Sequence, residues 1–153
     1  MREATREQLR DCRQIDIWGS ALAVHVGCAR GEQADRIAQY LVAHYDGIVE
    51  RGQVRHLPTG ETWQRLFAPV KPGTYQSGAF WGTPVVWVAP VIARRDVDLA
   101  VRMARDVIHD YRERGIRECI HGDYHAVDKY VASATNVYGL LREPPKRIDG
   151  MQD

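Results

Sequence analysis

The stretch Ala34-Asp35-Arg36-Ile37-Ala38-Gln39-Tyr40-Leu41-Val42-Ala43-His44-Tyr45-Asp46-Gly47-Ile48 carries apolar side chains at 34, 37, 38, 41, 45 and 48. That is the i, i+3, i+4, i+7 spacing of one helix face, and it predicts a helix over about 31–50. The opposite face is polar, with Glu32, Gln33, Asp35, Arg36, Gln39 and Asp46. Sixty-three residues on, the pattern returns in phase: Val97, Ala100, Val101, Ala104, Ile108 and Tyr111 stand where 34, 37, 38, 41, 45 and 48 stood. The tripeptide Glu50-Arg51-Gly52 returns as Glu113-Arg114-Gly115 at the same offset. A second helix is therefore predicted over about 96–114, and the two belong to an internal repeat. One residue out of step, Arg55 to Gly60-Glu61 matches Arg117 to Gly122-Asp123, so each repeat closes with a loop ending in glycine and a carboxylate.

Two segments, 15–27 and 84–93, are apolar almost all round, the pattern of a helix buried on every side. Thr83-Pro84 reads as the start of the second, with Thr83 as cap. Val127, Tyr130, Val131, Ala134, Tyr138 and Leu141 predict a last helix over about 126–142. Short turns fall at Cys28–Gly31 and Arg94–Asp96, and long loops at 51–83 and 115–125. Short strand pairing is expected around Gln53–His56 and Arg117–Ile120. The expectation is an all-α domain over 1–153, about three helical hairpins forming a partial (α/α) toroid, its long loops gathered at one end.

The chain has 153 residues, 44% hydrophobic and 27% charged, which suits one soluble domain and excludes a disordered one. No apolar run approaches the roughly 18 residues of a membrane span. The opening residues lack a signal-peptide core, so a cytoplasmic location is expected. Twenty-one basic side chains against twenty acidic ones leave +1, which suggests neither nucleic acid nor a membrane surface as partner. Cys12, Cys28 and Cys119 are an odd number without a CxxC pair and read as reduced thiols. There is no phosphate loop, no GxGxxG and no Gly-x-Ser-x-Gly, so no cofactor is expected. His121 and His125 flank Gly122 in a loop, where an i, i+4 spacing does not make a metal pair, and no metal site is assigned.

The loops carry the chemistry. Sugars are held by aromatic faces against C–H surfaces and by amides and carboxylates against hydroxyls. Trp63, Tyr75, Gln76, Trp81, Tyr124 and His121 supply the binding groups, and Glu118, Asp123 and Glu61 the carboxylates. Trp18 and Trp87 read as core aromatics. Asp123 has a second reading, as a cap for a helix starting near His125.

Tyr75-Gln76-Ser77-Gly78-Ala79-Phe80-Trp81-Gly82-Thr83-Pro84-Val85-Val86-Trp87-Val88-Ala89-Pro90 resembles the signature segment of the six-hairpin (α/α)6-toroid glycoside hydrolases, the superfamily of trehalases and glucoamylases. Glu118, Gly122-Asp123-Tyr124 and Ser133 resemble the next part of that superfamily's pattern: an acidic residue, a Gly-rich loop and a closing helix. The likeness spans about 14–142. It departs at Gly82, where trehalases have an aspartate. A six-hairpin ring also needs far more chain, so the helices here match only its C-terminal half. The resemblance implies hydrolysis of a glycosidic bond with inversion. Such a reaction uses two carboxyls roughly 6.5–9.5 Å apart, one activating water and one protonating the leaving oxygen. By position Glu118 matches the base, with Asp123 second, and Glu61 is the loop candidate for the acid. The alternative is a non-catalytic carbohydrate-binding or assembly subunit. Half a ring leaves open edges, so a homodimer or a companion chain completing it is expected, with Trp18, Tyr130, Tyr138 and Leu141 at the contact. A fold-back of Glu3–Cys12 is the other way to cover an edge.

Overall fold

The computed structural model describes residues 14–64 and 68–142. Cys12 and the fold-back segment Glu3–Cys12 lie outside them. Six helices are described: α1 (Ile17–His25), α2 (Gly31–Ala43), α3 (Tyr45–Ile48), α4 (Val85–Ala93), α5 (Val97–Arg114) and α6 (Val131–Arg142). Five strands accompany them: β1 (Val49–Glu50), β2 (Gln53–Arg55), β3 (Phe80–Trp81), β4 (Arg117–His121) and β5 (Tyr124–Asp128). The strands form one antiparallel sheet in the order β1-β2-β3-β4-β5. The class is thus mixed α and β, and the all-α partial toroid is corrected. The long loops do not merely gather at one end of a helix array; they pair with one another. Val54 lies opposite Trp81, and Trp81 opposite Cys119. The stretches 53–56 and 117–120 do carry strands, but within a sheet that also takes in β1, β3 and β5.

Helix α4 is the hub. Val85, Val88, Ala89, Val91, Ile92 and Ala93 are all buried, and α1, α2, α5 and α6 pack around them. Its nearly unbroken apolar surface is what lets one short helix be covered from several sides. It opens without a side-chain cap: Thr83 instead gives its carbonyl to Asn136 Nδ2 at 2.8 Å, tying α6 to the start of α4. Helix α1, expected to be equally buried, hides only Ile17 and Ala21, while Leu22 and Val26 face outward at 40% and 59% exposure. Its one packed side faces α4 and α2.

The predicted helix over 31–50 ends at Ala43. After His44 comes the single turn of α3, and Val49–Glu50 then leave as β1. Arg51 and Gly52, both at positive φ (53° and 74°), form the two-residue turn to β2. Turns of that backbone shape match the twist of the paired strands. The same tripeptide at 113–115 ends α5 instead, with Gly115 at φ 83° as its cap. On α5 the buried residues are Ala100, Met103, Val107 and Asp110, a stripe turned away from the predicted one. The cause is the β1–β2 turn resting on that face. Asp110, 2% exposed, accepts from Gln53 Nε2 at 2.8 Å and pairs with Arg51 at 3.5 Å and Arg114 at 3.3 Å. The predicted helix over 126–142 begins only at Val131, because 124–128 pair with β4 as β5. No helix among the described residues is long and apolar enough to cross a membrane.

Gly52 is pressed against α5. A Cβ there would meet the Val107 nitrogen and the Met103 carbonyl, both backbone atoms that cannot swing away. Adding a Cβ at positive φ also strains the turn. Gly52→Ala is expected to lower unfolding free energy by about 3 kcal/mol or more, by overpacking plus backbone strain, measured by urea denaturation. Gly60→Ala, with positive φ but open space around it, is expected to cost about 1 kcal/mol.

Candidate functional site

The sheet draws the three loops of interest together, and aromatic rings line their junction. Trp81 on β3 is edge-on to Tyr75 at 4.9 Å, to Trp18 at 5.5 Å and to Tyr130 at 6.4 Å between ring centroids. Trp18 lies flat on His56 at 4.0 Å, and His56 meets the edge of Trp63 at 5.1 Å. Rings from α1, from the loops after β2 and before β3, and from the β5–α6 connection therefore run without a break from Tyr75 to Trp63. Backbone ties fix the arrangement. Ile17 N–H donates to the His56 carbonyl at 2.9 Å, and Trp18 Nε1 donates to the Val54 carbonyl at 3.2 Å, so α1 is fastened to β2.

Glu118 sits on β4 beside this cluster with 7% exposure. Burial and then the Glu118 charge push the Tyr75 phenol above its ordinary range. Next along the strand, Cys119 is a free thiol that burial pushes up to about 11, despite a hydrogen bond with Tyr124 that works the other way. Tyr124 is raised by burial and then by Cys119. Near neutral pH both phenols and the thiol are protonated.

The other carboxylates are placed differently. Glu61 is half-buried, and its Oε2 accepts from Gln14 Nε2 at 3.0 Å. Asp123 is exposed in the two-residue Gly122-Asp123 turn between β4 and β5. It caps no helix, because His125 lies in a strand. Asp16, which drew no site role in the sequence, caps α1 by accepting from Gly19 N–H at 2.9 Å and meets His56 Nε2 at 3.3 Å. Burial works to raise its carboxyl, but the hydrogen bond with His56, the Gly19 bond and the His56 charge outweigh it, and the group titrates below its ordinary value.

Of the predicted binding residues, Tyr75 and Gln76 are exposed and Trp63 and Tyr124 half-buried, each able to present a face or an amide to a ligand. Trp81 is 4% exposed, and its Nε1 donates to the Tyr75 carbonyl at 3.2 Å, so it supports Tyr75 from behind and offers little surface of its own. His121 is exposed, with Nδ1 2.6 Å from the Gly73 carbonyl, and serves to close the 73–78 loop onto β4. Trp18, read as core from the sequence, is only partly buried and joins the cluster, as do His56 and Asp16. The Asp-x-x-Gly at the start of α1 carried a signal for the cap; nothing local pointed to the His56 contact. Among the described residues no three His, Cys, Asp or Glu side chains are grouped to hold a metal ion.

Two grooves lie elsewhere. One of about 350 Å³ runs along Ile15, Ile17, Ile37, Tyr40 and Leu41, and one of about 330 Å³ lies beside α3. The first is lined mostly by apolar groups and the second borders the α3 turn; neither includes Glu118. The converging carboxylate, phenols and indoles mark the β4 cluster as the candidate site. Comparison of the chain with protein-family models, with curated proteins and with solved structures gave no match.

Because Asp16 is held ionised below its ordinary pKa, its contribution to stability is present above the unfolded carboxyl value near 4 and is lost as pH falls through the lower folded value. Asp16→Ala is expected to cost about 1 kcal/mol at pH 7, the usual worth of an N-cap. The difference between the two proteins should shrink as pH falls below about 4, measured by urea denaturation across pH.

Proposed function

We propose that this chain acts on carbohydrate at the β4 cluster, as an inverting glycoside hydrolase with Glu118 as the base. The observation that carries the reading is Glu118 itself, a carboxylate only 7% exposed on β4, the strand whose Cys119 pairs with Trp81 of the aromatic cluster. Aromatic faces beside a carboxylate are the chemistry that takes sugar rings and hydroxyls. In an inverting reaction Glu118 removes a proton from water as that water attacks the anomeric carbon. An acid on the other side protonates the leaving oxygen.

The acid is not evident among the described carboxylates. Asp16 is kept ionised by His56 and Gly19, Glu61 is engaged by Gln14, and Asp123 stands in an exposed turn. We assign the missing half to a second copy of the chain. Val131, Tyr138 and Leu141 on α6 are 70%, 62% and 50% exposed, an apolar row beyond what α4 covers. A two-fold contact of about 800 Å² per partner is the usual size of a stable interface. Trp18 and Tyr130, which the sequence assigned to that contact, turn instead toward the aromatic cluster. The second reading, a carbohydrate-binding subunit without turnover, is supported by the same three placements.

The test is a panel of oligosaccharides presented to the wild-type chain and to Glu118→Gln, followed by calorimetry and by proton NMR of the released anomer. Both proteins are expected to bind a common sugar. The wild type is expected to release the inverted anomer, and the variant to do so about 100-fold more slowly or less. Binding without release by either protein selects the binding-subunit reading, and binding of no sugar by the wild type ends both. Sedimentation of the same samples should give a dimer that Leu141→Glu splits.

A further inference from the structure

Arg55 is the only buried cation among the described residues, at 7% exposure, and it forms no ion pair with a carboxylate there. The contrast with Asp110 is direct: that buried charge takes Gln53, Arg51 and Arg114. Arg55 makes one hydrogen bond, from Nη2 to the Glu61 carbonyl, and at 3.4 Å it is a long one. Its Nε is buried without a partner. Its guanidinium carbon stands 5.4 Å from the centre of the ring of Phe80, the residue opposite it on β3. Glu61 has its own carboxylate turned to Gln14. A guanidinium held out of water without an anion is costly, and arginine cannot shed its proton to escape. Burial pulls its pKa down, against the Glu61 charge, but the group stays charged at neutral pH.

The 73–78 loop lies against this charge. A Cβ added at Gly78, at φ 121°, would come within 3.1 Å of Arg55 Nη2 and 3.2 Å of the Gly73 Cα. Ser77, beside Gly78, is 1% exposed, and its hydroxyl is also buried without a partner. Two polar side chains, each more than nine-tenths buried and each with an unmet polar atom, thus border one glycine. We propose that Arg55 is the anchor of an anion site that takes the carboxylate of a small ligand. The two carboxylate oxygens accept from the N–H groups of the planar guanidinium, the geometry of a bidentate pair. A carboxylate fits better than a phosphate. The site offers one positive charge, and Glu61, whose carbonyl Arg55 already touches, is itself an acid, so a dianion would meet repulsion that one guanidinium does not offset. The site goes beyond the reading of Glu118 and does not depend on it. A sugar acid and a simple carboxylic acid carry the same group, and their affinities tell them apart.

Nitrogen-15 NMR of the arginine side chains tracks the Arg55 Nε–H directly, with Arg55→Lys identifying its signal by its loss. The titrants are glucuronate, propionate and, as the neutral control, glucose. The Arg55 signal is expected to shift and saturate with glucuronate, propionate or both, and to stay still with glucose. Glucuronate tighter than propionate by about tenfold or more makes the ligand a sugar acid, and comparable affinities make it a simple carboxylic acid; either supports the site. A signal that neither carboxylate moves at about 50 mM, well above a millimolar Kd, or that glucose moves as far, overturns it. Arg55→Met is the second variant, because removing a buried charge that has no partner strands no other charge. It should remain folded, with a urea midpoint no lower than the wild type's, and bind the carboxylate about tenfold more weakly or less. A marked fall in the midpoint would mean that the guanidinium is already satisfied within the fold, and would refute the proposal.

Discussion

The seat of the β1–β2 turn on α5 is the contact on which the rest depends. Gly52 brings backbone against backbone at Met103 and Val107, and Asp110 receives Gln53, Arg51 and Arg114 in the space left beside it. A buried carboxylate is stable only where donors satisfy it, and these three do so. Removing one would leave the charge stranded, so the turn and the helix are locked to each other. The turn sets β2, β3 pairs with β2, and β4 pairs with β3, so Glu118 inherits its place from a contact far from it in sequence.

Helices were legible where the apolar spacing was long and unbroken. The 97–114 helix matches the expected 96–114 almost end to end, and the hydrophobic run at 84–93 is the buried hub. The sheet was only partly legible. β1 and β3 are two residues each, too short for any alternation to register. The end of β5 was read as helix and its start as loop, because Val127, Tyr130 and Val131 happen to sit at helical spacing. The backbone overrules that spacing with left-handed residues at Val127 and Lys129. Identical tripeptides at 50–52 and 113–115 take different structures: Gly115 ends a helix, whereas Gly52 turns one strand back on another. The difference lies in the tertiary surroundings, since only Gly52 has a helix backbone pressed against it.

The site was legible as a set of loops more than as a set of roles. Tyr75 is exposed and Trp63 half-buried, so both offer surface, while Glu118 is buried on β4. Trp81 is turned inward, because strand β3 seats it between Trp18, Tyr75 and Tyr130. Trp18, His56 and Asp16 were missed for one reason: their meeting is made by the bond from Ile17 N–H to the His56 carbonyl, between residues far apart in sequence. Glu61 and Asp123, matched by the repeat, diverge because the first loop closes on Gln14 while the second closes as a tight hairpin. Similar sequence at the two positions did not bring similar surroundings.

The claim that the aromatic cluster beside Glu118 is where sugar binds is tested most directly by nitrogen-15 NMR of the four indole N–H groups. The titrants are gluco-, manno- and galacto-oligosaccharides. Trp63 is expected to shift and saturate with one of them, Trp18 to respond through its contact with His56, and Trp87, on the hub helix, to stay still. Four unmoved indoles at saturating concentrations of all three series, or a response confined to Trp87, would contradict it.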